Sequence, residues 1–72
     1  MSRGLLSRAE SRRYLADRED EFARGKDAEA GHETNRDRRR CLVGRAAIAR
    51  ADAANHRAAA DAYDRMAKGE EA

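Results

Sequence analysis

The chain has 72 residues, a net charge of +2, no proline, and charged side chains at 42% of its positions. Its few large apolar side chains cannot stabilise a lone domain of this length. Burying one contributes about 1.5–3 kcal/mol, whereas ordering each residue costs roughly 1.5 kcal/mol. Abundant Ala, Arg and Glu favour helix, so we expect helices whose stability depends on association. No apolar run approaches the ~20 residues of a membrane span, and we expect no membrane partner.

The first predicted element is a helix over residues 8–24. Ser7 and Glu10 have the spacing of a capping box, in which two side chains satisfy free backbone amides at a helix start. Ser2 offers an alternative, earlier start. Gly25 suits the left-handed position that commonly ends a helix. The predicted helix therefore has a recognisable signal at each end.

Residues 25–33 predict a loop, because two glycines frame a segment that contains no large apolar side chain. Thr34 and Asp37 form a second, weaker capping box directly after this loop. A second helix is therefore expected over residues 35–68, and Gly69 is placed to close it. This helix is expected to be twice as long as the first.

These elements predict an all-α fold: a two-helix antiparallel hairpin over residues 7–69, with a long Ala-rich second helix. A lead-in at 1–6 and a tail at 70–72 flank it. A short connection between helices favours antiparallel neighbours, and a turn near residue 29 places Leu15 against Val43. The second helix then extends beyond the first. We expect its uncovered half to be covered in a dimer or in a larger helical complex.

The second helix carries a row of small and apolar residues at alternating steps of three and four, close to the helical repeat. We predict that this small-residue face binds a partner. It consists of Gly44, Ile48, Ala51, Asn55, Ala58, Ala62, Tyr63 and Met66. Small residues seven apart allow two backbones to approach closely, and a buried Asn55 can fix the register of such a pairing.

An arginine cluster near the start of the second helix is the sharpest alternative site. It consists of Arg36, Arg38, Arg39, Arg40 and Arg45. Cations at a helix N-terminus oppose the helix dipole, so an anionic neighbour is expected. The predicted hairpin supplies one, because it places Asp20, within the acidic run 17–21, beside Arg38. The other candidate is a nucleic-acid backbone, but no aromatic side chain is interleaved for base stacking.

Other reactive side chains form no convincing site. Glu29 and His32 have the spacing of the carboxylate–histidine pairs in di-iron helical proteins, but Gly31 interrupts them and no second pair exists. Cys41 is expected to be a buried, inert thiol. His56 lies four helical turns from Cys41, so the two cannot meet within one helix. We therefore expect no catalysis, no metal, no cofactor and no small-molecule substrate.

The sequence thus predicts a non-catalytic helical interaction protein that binds itself, as a homodimer, or a protein partner through the small-residue face. The alternative is a small basic nucleic-acid-binding regulator that uses the arginine cluster. The single cysteine excludes an internal disulfide and is typical of a reducing compartment. We therefore expect a cytoplasmic protein.

Overall fold

The computed structural model describes residues 3–71. Two helices, α1 (Arg3–His32) and α2 (Arg36–Glu71), pack side by side as an antiparallel hairpin. The molecule is a rod with extents of 56 × 13 × 11 Å. The predicted all-α hairpin is confirmed, and the described part of the chain contains no strand.

Helix α1 is almost twice as long as the predicted helix over residues 8–24. It continues through Gly25 and Gly31, which both have ordinary negative φ angles. The predicted loop at 25–33 is therefore wrong. A glycine in a helix costs about 1 kcal/mol relative to alanine, and the helix nevertheless continues through both glycines and buries Ala30 against α2.

The start of α1 also differs from the prediction. The helix begins by Arg3, so Ser7 and Glu10 lie within it and do not form a capping box at its start. The predicted lead-in at 1–6 is helical from Arg3 onward. The alternative start at Ser2 lies outside the described residues, as does Met1.

Helix α2 is capped by Asn35 rather than by Thr34. The Asn35 Oδ1 atom accepts hydrogen bonds from the backbone N–H groups of Asp37 and Arg38, both at 3.0 Å. An asparagine at this position satisfies amides that have no partner in the first turn. The helix continues through Gly69 to Glu71, so Gly69 does not end it.

Hydrogen bonds from residues on both sides stabilise the short connection between the helices. The Glu33 carboxylate accepts a hydrogen bond from the Asn35 N–H at 3.0 Å. The Glu33 carbonyl oxygen accepts two from the Arg39 guanidinium, at 2.9 and 3.1 Å. The Glu33 N–H donates to the Ala30 carbonyl at 3.2 Å, which completes the last turn of α1. The chain therefore reverses within three residues.

The core between the helices consists entirely of alanine. The buried side chains recur every seven residues in each helix, with one addition in α2: Ala9, Ala16, Ala23 and Ala30 in α1, and Ala46, Ala49, Ala53, Ala60 and Ala67 in α2. No larger side chain is fully buried among the described residues. A seven-residue repeat of inward positions is the pattern of a coiled coil. With alanine at these positions the two backbones approach closely.

The register of the hairpin is shifted from the predicted one, because the turn lies at residues 33–35 instead of near residue 29. Asp20 forms an ion pair with Arg57 at 2.6 Å, not with Arg38. Residues 54–68 were expected to extend beyond the first helix. They instead lie along α1 and contribute Ala60 and Ala67 to the core.

Candidate interaction surfaces

The alanine core divides the remaining surface of the rod into two flanks and two outer faces. Side chains four residues after a buried alanine lie on one flank of a helix, and those directly before one lie on the opposite flank. In an antiparallel pair, equivalent flanks of the two helices lie side by side. The chemistry of the two flanks differs.

One flank, the ionic flank, is crossed by salt bridges between the helices. It comprises Arg13, Asp17, Asp20, Asp27, Arg50, Arg57, Asp61 and Asp64. Arg57 contacts Asp20 at 2.6 Å and Asp17 at 3.1 Å. Exposed ion pairs contribute only about 0–1 kcal/mol each. Their main effect here is to select this register.

The hydrogen bonds on the ionic flank shift the pKa values of their partners. The hydrogen bond to Asp64, and to a lesser extent the one to Asp61, raises the pKa of Arg13 above its ordinary value. The hydrogen bond to Asp20, and to a lesser extent the one to Asp17, raises the pKa of Arg57.

The opposite flank, called the apolar flank for its exposed apolar side chains, carries Leu15 and Phe22 from α1 and Ala59 and Met66 from α2, interspersed with the charged residues Arg8, Glu29, Arg45 and Asp52. Leu15 is 43%, Phe22 49% and Met66 55% exposed. The prediction that Leu15 packs against Val43 is wrong, because the turn lies at residues 33–35, Ala16 occupies the core, and Val43 is 49% exposed. The ammonium of Lys26 lies 5.2 Å from the Phe22 ring centroid and covers part of it.

A hydrogen bond between the helices links Arg12 Nη1 and His56 Nδ1 at 3.1 Å. Both residues lie three positions from a buried alanine and are half-buried. His56 therefore has a structural partner within the hairpin. It lies between the helices and contributes to their pairing.

The small-residue face lies mostly on the outside of α2. Gly44, Ala51 and Ala58 are exposed, and Ile48 is 66% exposed. A Cβ atom added to Gly44 would meet nothing within 4 Å. The hairpin core uses a different row of alanines, so this face has no partner in the described chain.

The predicted partner-binding residues divide between two surfaces. Six of them lie on the outer face of α2: Gly44, Ile48, Ala51, Asn55, Ala58 and Ala62. Tyr63 and Met66 lie instead beside the core, on the side of the apolar flank. Leu15 was predicted to pack against Val43 in the hairpin core, so this flank, which also carries Phe22, was not predicted. The seven-residue spacing of alanines directly after them was the available signal.

The arginine cluster is not neutralised by the acidic run of α1. Asp17 and Asp20 bind Arg57 instead, so the expected compensation is wrong. Among the described side chains, none of the ion pairs involves an arginine of the cluster. Arg39 binds the Glu33 carbonyl oxygen. The turn end of the rod, residues 24–45, contains seven Arg and Lys against four Asp and Glu.

An open groove of about 340 Å³ lies beside the turn. Its lining carries both signs of charge: Glu29, Glu33, Asp37, Arg38, Cys41, Leu42 and Arg45. Cys41 is exposed, so the expectation of a buried thiol is wrong. Glu29 forms an ion pair with Lys26 at 3.2 Å. Nowhere among the described side chains, which span residues 3–69, do three metal-ligating groups come together.

Comparison with protein-family models, with curated proteins and with solved structures finds no match for this chain. Neither α1 nor α2, as far as the structure describes them, contains an apolar stretch long enough to cross a membrane.

Acid should weaken the ionic flank. Arg13 lowers the pKa of Asp64 below its ordinary value of 3.8. A carboxylate with a lowered pKa in the folded state stabilises fully above its unfolded pKa, and the contribution is lost as pH falls through the folded value. The melting temperature, followed by circular dichroism, should therefore fall below about pH 4.

Asp64→Asn should flatten this acid dependence. Asp52→Asn is the control, because Asp52 lies on the other flank, and it should leave the dependence unchanged. Equal flattening by both variants would contradict a specific contribution from the Arg13–Asp64 pair.

Proposed function

We propose that this protein is a non-catalytic, cytoplasmic interaction protein that binds a helix of another polypeptide through the small-residue face. One observation carries the proposal: the hairpin buries a separate row of alanines, and no described residue of α1 covers the small-residue face of α2. The exposed thiol of Cys41 fits the reducing conditions of the cytoplasm.

The chemistry of this face suits close helix packing. Gly44, Ala51 and Ala58 follow one another at seven-residue intervals, so they line up along the outside of α2. The open space above Gly44 leaves room for a partner backbone. Ile48 is 66% exposed and supplies an apolar side chain that a partner would bury.

The energetics of the hairpin also favour a partner. The chain exposes 5492 Å² of accessible surface. A compact protein of its mass exposes about 4,450 Å². With only alanines buried, the hairpin gains little from the hydrophobic effect. Covering an additional face would add the apolar burial that the hairpin lacks.

Site-specific photo-crosslinking tests the proposal in cells that naturally express the chain. A benzoylphenylalanine at Ala62, at the edge of the face, should give a discrete crosslinked product. Adding Ala58→Leu should reduce its yield, because overpacking an interface position costs about 1–3 kcal/mol. Ala28 lies exposed on α1, away from this face, so Ala28→Leu in place of Ala58→Leu is the matched control and should leave the yield unchanged.

The absence of a crosslinked product from Ala62 would contradict the proposal. So would an equal reduction by Ala28→Leu, because a true interface on α2 cannot depend on a substitution on the outside of α1.

A second candidate function is binding of a nucleic-acid backbone by the arginine cluster. The observation that favours it is the shifted register, which leaves the cluster without the acidic run of α1. The concentration of positive charge at the turn end of the rod would attract phosphates, and such binding weakens with salt.

Fluorescence anisotropy with mixed-sequence duplexes and single strands, at two salt concentrations, tests this candidate. If it is right, Arg36, Arg38 and Arg40 changed together to Gln should remove binding and flatten the salt dependence, by a slope of about 0.9 per lost contact for duplex DNA. The charge-matched control changes Arg8, Arg65 and Lys68, toward the other end of the rod. Equal loss in both triple variants, or no binding by the unmodified protein, would exclude it.

A further inference from the structure

We propose that the hydrogen bond between Arg12 and His56 is a pH-sensitive contact, which stabilises the pairing of α1 with α2 only while His56 is neutral. Mild acid would then loosen the open half of the hairpin, meaning the half away from the turn. The proposal concerns the pairing of the two helices, so it goes beyond the proposed interaction function and can fail independently of it.

The hydrogen bond determines which form of the imidazole fits between the helices. Arg12 Nη1 lies 3.1 Å from His56 Nδ1. A guanidinium carries donors and no acceptor, so the Nδ1 atom accepts and the proton of the neutral ring lies on Nε2. Both ring nitrogens of a protonated imidazole are donors. Protonation of His56 therefore removes the acceptor from this contact and places two positive charges against each other.

The surroundings of the pair leave this repulsion uncompensated by a direct contact. Among the described side chains, Arg12 takes part in no ion pair. The charged groups within two helical turns on the same side of the core are Arg8 and Glu19 on α1 and Asp52 on α2. Asp52, one turn before His56, attracts a positive charge there, whereas Arg8, one turn before Arg12, repels it. The direct contact with Arg12 therefore decides the sign of the effect.

The position of the contact along the rod makes it important for pairing. His56 lies about 30 Å from the turn, at 1.5 Å per residue along α2. The chain itself holds the helices together at the turn, whereas their pairing at the open end depends on side-chain contacts. The buried side chains there are alanines such as Ala9 and Ala60, which gain little from burial. The salt bridges of Arg13 are exposed, and such pairs add little stability.

The pH range in which the contact would be lost is separate from that of the ionic flank. Histidine is the side chain that ordinarily changes charge between about pH 5 and 8, and the chain has two, His32 and His56. When the folded state requires a neutral histidine, the unfolded state binds more protons, so stability falls as the pH decreases. Carboxylates gain their protons only at lower pH.

Thermal unfolding followed by circular dichroism, at one protein concentration, tests the contact. Between about pH 7.5 and about pH 5.5, the loss of this hydrogen bond should lower the melting temperature by about 4–8 °C. His56→Asn places an amide oxygen near the position of Nδ1 but cannot gain a proton, so it should remove most of this pH dependence. His32→Asn is the matched control, because His32 is exposed at the end of α1, and it should leave the dependence unchanged.

Nitrogen-15 chemical shifts of the imidazole rings test the tautomer without any substitution. At neutral pH the His56 ring should carry its proton on Nε2, because Nδ1 accepts the hydrogen bond from Arg12. A proton on Nδ1 would overturn the proposal even if the His56→Asn variant fails to fold. A melting temperature that does not fall between the two pH values, or equal flattening by His32→Asn, would also overturn it.

Discussion

The close contact of two alanine rows is the constraint on which the rest of the structure depends. Because the seventh-residue positions of both helices are alanine, the backbones approach so closely that, among the described residues, no larger side chain is fully buried between them. Large apolar and charged side chains therefore lie at the edges of the core, on a flank or on an outer face. The large side chains that the core cannot hold form the surfaces of this rod, and its candidate functions depend on those surfaces.

In this hairpin, the interactions that select the register differ from those that bury apolar surface. The alanine core contributes little hydrophobic energy. Because the same residue recurs every seven positions in both helices, a shift of one helix by seven residues would again place alanine against alanine. The salt bridges of the ionic flank, such as Arg57 with Asp20, distinguish one register from the others. Exposed salt bridges add little stability. The molecule thus has a defined pairing but limited burial, which is the condition under which a protein gains most from a partner.

Helical class and antiparallel pairing could be predicted from the sequence, because they depend on composition and on a short connection. The register could not, because Gly25 and Gly31 looked like helix ends and shifted the expected turn by five residues. The sequence also did not show which face of α2 packs against α1, for a related reason. An Ala-rich helix offers several small-residue rows, and Ala51 and Ala53 are equally small. The matching repeat of Ala9, Ala16 and Ala23 in α1 was the signal that distinguishes them.

Urea denaturation of two variants at neighbouring positions tests the alanine core most directly. Ala53 is fully buried against α1, whereas Ala54 is exposed. Ala53→Leu should reduce the free energy of unfolding by about 1–3 kcal/mol, because the larger side chain forces the helices apart. Ala54→Leu should change it by no more than about 0.5 kcal/mol. Equal effects of the two substitutions, or a gain in stability from Ala53→Leu, would contradict an alanine core in this register.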